Sequence, residues 1–224
     1  MEKVPEFAST LFILTTFITL YLFSSATSKP RVVLLVLLAW LVLQGFMASS
    51  GFYTVTDRLP PRFLLGILPP LAFIFFLFLS PWGRLFIDGL DLKRLTLLHV
   101  IRIPVELVLF WLFSYKTVPQ LMTFEGRNFD ILSGISALLV YYFGFIKKSL
   151  DKKFILVWNF ICLALLANIV INAFLSAPFP FQKFAFDQPN IAILYFPFVW
   201  LPALVVPLVL FSHLVAIRKL WKKH

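Results

Sequence analysis

Apolar residues run along this chain in long stretches, and polar residues gather in the gaps between them. Apolar runs of about 17–25 residues are long enough to cross a bilayer as helices. Seven such runs are predicted, at 7–24, 32–48, 62–80, 95–115, 129–146, 154–175 and 191–217. Pro69-Pro70 interrupts the third, which is therefore expected to be the least straight. The last carries Pro197, Pro202 and Pro207. Proline bends membrane helices and is tolerated where neighbours satisfy the freed carbonyls. The connections are short, with no internal repeat, low-complexity tract or soluble domain. The expected fold class is all-α: one polytopic transmembrane bundle over residues 1–224, with about seven spans.

Composition agrees. The chain is 61% hydrophobic and 13% charged, with 28 phenylalanines and a mean hydropathy of +0.94. Soluble domains carry roughly 25% charged residues, so lipid must cover the apolar excess here. A single cysteine, Cys162, excludes an intrachain disulfide and argues against a cysteine metal site.

The net charge of +10 could suggest nucleic acid, but its placement points to the bilayer. With seven spans, one side receives thirteen basic residues: Lys29, Arg31, Arg84, Lys93, Arg94, Lys147, Lys148, Lys152, Lys153, Arg218, Lys219, Lys222 and Lys223. The other receives six: Lys3, Arg58, Arg62, Lys116, Arg127 and Lys183. The positive-inside rule then sets the N-terminus outside and the C-terminus in the cytoplasm. Basic charge of this kind orients the chain and attracts anionic headgroups, so the lipid bilayer is the expected partner and nucleic acid is not. Ser24-Ser25-Ala26 resembles a small-residue cleavage site. Glu2, Lys3 and Glu6 replace the positive region of a signal peptide, so the first run is read as a retained span.

The fourth run carries the chemistry. Thr96-Leu-Leu-His99-Val-Ile-Arg102-Ile-Pro104-Val-Glu106 puts a base, an acid and an imidazole inside a membrane-length stretch. At ~100° per residue, His99, Arg102 and Glu106 share one stripe of a helix. Intramembrane charges are costly, so they face partners or water and mark candidate sites. Arg102 and Glu106, at i and i+4, are expected to pair within their helix. Pro104 is expected to leave the Val100 carbonyl free for an ion, water or ligand. As plain packing, the same pair would only lock this helix to a neighbour.

Other polar residues could join this site. Asn168 and Asn172 share a face of the sixth run and serve either as helix glue or as a second wall facing Arg102 and Glu106. Gln44, Ser133 and Ser136 could line the same interior, and Gly134 would allow close helix contact. The loop Thr123-Phe-Glu125-Gly-Arg127-Asn128-Phe-Asp130 is expected to turn at Gly126, with Asn128 or Asp130 as helix cap. Capping leaves Glu125 and Arg127 unexplained, and with Asp187 they are candidates for an outer entrance. The Phe- and Pro-rich segment 176–190 reads as an interfacial stretch covering that mouth. If their helices are adjacent, His99 and His213 could meet as metal or haem ligands; otherwise each is a hydrogen-bonded interfacial histidine. His224 is terminal and uninformative.

The phrases Met122-Thr-Phe-Glu-Gly-Arg-Asn-Phe-Asp-Ile-Leu132 and Phe186-Asp-Gln-Pro-Asn-Ile-Ala-Ile-Leu-Tyr-Phe-Pro-Phe-Val-Trp-Leu-Pro202 resemble a group of uncharacterised bacterial multi-pass inner-membrane proteins. The likeness runs from about the fourth span to the C-terminus. It implies a bacterial inner (cytoplasmic) membrane and transfers no catalytic residue.

Three function classes follow. The first is binding or transport of a small polar or ionic solute at Arg102 and Glu106, supported by Asn168 and Asn172, with Glu125, Arg127 and Asp187 at the entrance. The second is a membrane enzyme or redox protein acting on a lipid-like ligand through His99 and His213. The third is an assembly subunit, for which an oligomer is compatible with the sequence. No Walker A, HExxH or GxSxG motif is present, so catalytic residues and cofactors stay unknown.

Overall fold

A computed structural model of the chain describes residues 4–221. Glu2, Lys3, Lys222, Lys223 and His224 lie outside the described residues. The chain is all-helical, with no strand among the described residues.

Among the described residues nine α-helices follow in order: α1 Glu6–Ser25, α2 Pro30–Ser49, α3 Leu64–Leu79, α4 Pro81–Asp88, α5 Leu92–Leu98, α6 Arg102–Ser114, α7 Ile131–Val140, α8 Lys152–Leu175 and α9 Val206–Trp221. A tighter 3-10 turn, His99–Ile101, joins α5 and α6 into one helix over Leu92–Ser114. Wider π turns extend α7 to Ile146 and begin the last helix at Leu201.

Five of these helices are long and apolar enough to cross a membrane, and six if the bent pair α3–α4 counts as one. The fifth predicted run, at 129–146, forms a shorter apolar helix, Ile131–Ile146.

Helix ends follow local chemistry. Asp91 and Asp151 cap α5 and α8 by accepting from Lys93 and Lys153 N–H. Ser80 caps α4 by accepting from Gly83 N–H at 3.0 Å, and Pro81 takes the first helical position. Thr15, Thr16 and Thr19 return their hydroxyls to carbonyls one turn back in α1, so they are buried without losing hydrogen bonds.

Two sequence expectations change. Helix α3 continues through Pro69 and Pro70, because the prolines remove only the N–H donors for the Leu65 and Gly66 carbonyls, near its first turns. The run at 191–217 is not one helix, for the helix starts only at Leu201. Before it, Ile191 and Ala192 give their N–H groups to Thr117 O, both at 3.1 Å, which ties this stretch to the end of α6 instead.

The inner helices are Leu92–Ser114 and Leu201–Trp221, each 61% buried over its apolar window, against 22% for α2. Helix α2 turns Leu35, Val36, Val42 and Phe46 outward. An apolar face of that extent fits a lipid surrounding.

The helix ends meet in a way that sorts the charges. Asp91 N–H donates to Ala26 O at 2.9 Å, and the Arg94 guanidinium donates to Ser25 O. Lys93 lies over the Tyr141 ring, Ile155 and Leu220 share one cluster, and Lys219 Nζ donates to Asp88 O at 2.9 Å. The ends of α1, α4 and α9 therefore lie with the starts of α2, α5 and α8. The basic residues of those junctions gather at one end of the bundle.

Candidate functional site

The inner helix Leu92–Ser114 fills one side with Leu95, Leu98, Ile101, Val105, Val108, Leu109 and Leu112, all buried. On the same buried surface it carries His99, Arg102 and Glu106. The predicted polar stripe therefore faces the protein interior.

Arg102 pairs with Asp130, not with Glu106. Its Nη1 lies 3.1 Å from Asp130 Oδ1 and also donates to Cys162 O at 3.4 Å. Gly134 makes this possible: a Cβ there would sit 2.8 Å from Ile103 Cγ1 and 3.3 Å from Arg102 Cβ. Without it α7 approaches closely, and Asp130, one turn earlier, is brought against the guanidinium. Arg102 Nε and Nη2 find no partner among the described residues.

Glu106 is held from the same loop. Its Oε1 accepts from Asn128 Nδ2 at 2.5 Å, while Oε2 has no partner among the described residues. Asn128 is fully buried and central. Its Nδ2 also donates to Met122 O at 3.0 Å, and its Oδ1 accepts from Asp130 N–H at 3.0 Å. One amide thus positions both carboxylates. Ser133 lies buried beside Asp130 and Cys162.

The Val100 carbonyl is not left open. The 3-10 turn at His99–Ile101 shifts the following N–H groups onto the His99 and Val100 carbonyls, which absorbs the donor lost at Pro104. Asn128 does more than cap a helix, and Asp130 makes no side-chain capping bond to α7.

The remaining candidates lie elsewhere. Glu125, Arg127 and Asp187 have exposed positions, outside the buried pair's hydrogen bonds as described. Asn168 donates to Arg127 O at 2.8 Å, and Asn172 donates back to Asn168 O at 2.9 Å. These asparagines fasten the 123–130 loop to α8 and do not hydrogen-bond Arg102 or Glu106.

Gln44 accepts from the Tyr53 hydroxyl at 2.6 Å, and burial pushes that phenol up from its ordinary value. Ser136 accepts from Trp158 Nε1 at 2.9 Å. The 176–190 segment packs onto the bundle through Phe179, which stacks on Phe63, and through Gln188, which donates to Phe113 O at 2.9 Å.

His99 and His213 do meet. Their rings stack with centroids 3.8 Å apart and planes 12° from parallel, and Trp158 packs edge-on against both. Asn159 Nδ2 donates to Ile155 O at 2.8 Å, so its Oδ1 is the acceptor for His213 Nδ1–H at 2.9 Å. A neutral His213 therefore leaves Nε2 as a bare acceptor. Imidazole ligates through a lone pair in its own ring plane. Face-to-face stacking keeps the two lone pairs in parallel planes and does not aim them at one ion. Among the described residues no group of three His, Cys, Asp or Glu forms a metal-binding cluster.

Sequence reasoning missed Asn128 and Asp130 as site residues. The signal was present: Glu106 and Asp130 are the two acids that fall inside predicted apolar runs. A buried arginine needs a counter-charge, and these were the available ones.

Fold and site together define an all-helical apolar bundle with an interior cluster of charged and amide groups. The chain belongs to the family described as Domain of unknown function (DUF8737), which matches residues 60–221. That region includes every residue of the cluster and leaves α1 and α2 outside. No curated protein and no solved structure matches the chain.

Proposed function

We propose that this protein is an integral membrane protein, in a bacterial inner membrane with its C-terminus cytoplasmic, that binds and passes a small polar or ionic solute at Arg102, Glu106, Asn128 and Asp130. The supporting observation is unspent hydrogen-bonding capacity. Arg102 and Glu106 are each 2% exposed, yet Arg102 Nε and Nη2 and Glu106 Oε2 have no partner among the described residues. Buried polar groups are nearly always satisfied, and exceptions point to a role. A solute that donates to Glu106 and accepts from Arg102 would complete both. Asp130 already sits beside Arg102, so the open groups are one Glu106 carboxyl oxygen and the Arg102 Nε and Nη2 donors, which favours a neutral or zwitterionic solute that carries both a donor and an acceptor.

Glu106→Gln tests this. A glutamine oxygen can still accept from Asn128, so the fold is expected to persist while the open Oε2 acceptor becomes an amide donor. The full chain in detergent would be screened by thermal shift against ammonium, alkali cations, amino acids and polyols. One class is expected to stabilise the wild type, and E106Q is expected to weaken its binding about tenfold, the loss of one charge-assisted hydrogen bond. Equal binding by wild type and a folded E106Q sinks the proposal.

A further inference from the structure

We propose that the groove between α4 and the end of α9 binds the phosphate of an anionic phospholipid. This site is separate from the Arg102–Glu106 cluster and does not depend on it.

The placement of α4 comes first. It leaves α3 at 91°. With α3 crossing a bilayer, α4 lies along the membrane surface. Its sequence suits that position: Gly83 and Ile87 are buried against the bundle, while Trp82 and Leu85 are 62% and 74% exposed. Short amphipathic helices lie in the interface with their apolar groups at the acyl boundary, and Trp favours that depth.

The groove comes second. It has a volume of about 490 Å³ and is lined by Pro81, Arg84, Leu85, Asp88 and Arg218. Two guanidiniums face one carboxylate. Arg218 Nε lies 3.5 Å from Asp88 Oδ1, so Asp88 holds one arginine in place and a net positive charge remains. Guanidinium matches phosphate through paired N–H donors. Pro81 and Leu85 add an apolar wall to the cationic one. A phospholipid presents that same combination, a phosphate joined to apolar chains, which inorganic phosphate lacks. The groove also sits at the end of the bundle where the basic residues gather, which enriches anionic lipid nearby.

Native mass spectrometry of the full-length chain in detergent tests this, with phosphatidylglycerol and phosphatidylcholine added at equal concentration. Arg84 is exposed, so R84Q is expected to fold, and its melting temperature checks that. K152Q/K153Q, basic residues at the same end but outside the groove, serves as control. The wild type is expected to retain phosphatidylglycerol about fivefold over phosphatidylcholine. R84Q is expected to lose about fivefold of that retention, roughly one headgroup contact, while K152Q/K153Q keeps it. Equal retention of the two lipids overturns the proposal. So does an unchanged R84Q, or an equal loss in K152Q/K153Q. Competition by inorganic phosphate as strong as by phosphatidylglycerol overturns the lipid assignment.

Discussion

Asp130→Ala is expected to destabilise the detergent-solubilised chain by ~3–5 kcal/mol, because it strands the buried Arg102 guanidinium. Both side chains of the pair are almost fully buried, at 3% and 8% exposure, and Nη1 sits 3.1 Å from the carboxylate. The desolvation cost of Arg102 stays after the mutation, while its nearest counter-charge is gone. Cys162 supplies the readout. It is the sole cysteine, and it is buried, so a thiol-reactive dye reports its exposure on heating. Arg102→Met/Asp130→Ala is expected to recover more than half of the loss, since both charges then leave together. The double-mutant cycle gives the coupling directly. A loss below about 1 kcal/mol for D130A would mean that Arg102 is neutralised elsewhere. Glu106 is the nearest alternative, and adding E106Q to D130A would expose that.

The helical plan was legible in the sequence because membrane-length apolar runs leave few other structures open. Helices α1, α2, α8 and Leu92–Ser114 lie where hydrophobicity puts them. The Pro-bearing runs were less legible. In α3 the prolines fall near the first turns and cost little. At 191–200 the first two backbone donors, Ile191 and Ala192 N–H, are taken by Thr117 O, which no local pattern announces. The site divided in the same way. The stripe of His99, Arg102 and Glu106 follows from helix periodicity alone. Its partners do not, since Asn128 reaches Glu106 across 22 positions and Asp130 reaches Arg102 across a change of helix. A hydrophobic pattern says that a charge is buried and is silent on what it meets. The i, i+4 expectation failed because a closer partner became available once Gly134 let α7 approach. Glu125 and Arg127, expected at an outer entrance, stay at the surface and outside the buried network.

The position of Asn128 and Asp130 in turn rests on one glycine, and Gly126→Ala is expected to show it. A Cβ at Gly126 would lie 2.2 Å from Gln120 O, 2.8 Å from Gln120 C and 2.7 Å from Leu121 Cα. All three are backbone atoms, so no side chain can rotate away. The turn must open, which breaks the bonds from Gly126 N–H to Thr123 O at 2.9 Å and from Arg127 N–H to Leu121 O at 3.2 Å. Overpacking commonly costs ~1–3 kcal/mol. Here the upper end is expected, because the strain is met by backbone and because Asn128 moves off Glu106 and Asp130. Gly89→Ala is the matched control. Its nearest contacts would be 3.5 Å from Leu85 O and Phe86 O, ordinary van der Waals distance, so a change within about 0.5 kcal/mol is expected. G126A should therefore lower the Cys162-monitored transition and also abolish any solute stabilisation that the wild type shows. If G126A melts like the wild type, the 123–130 turn is not the support of the site. If it melts lower and still binds solute fully, Arg102 and Glu106 hold the ligand without Asn128.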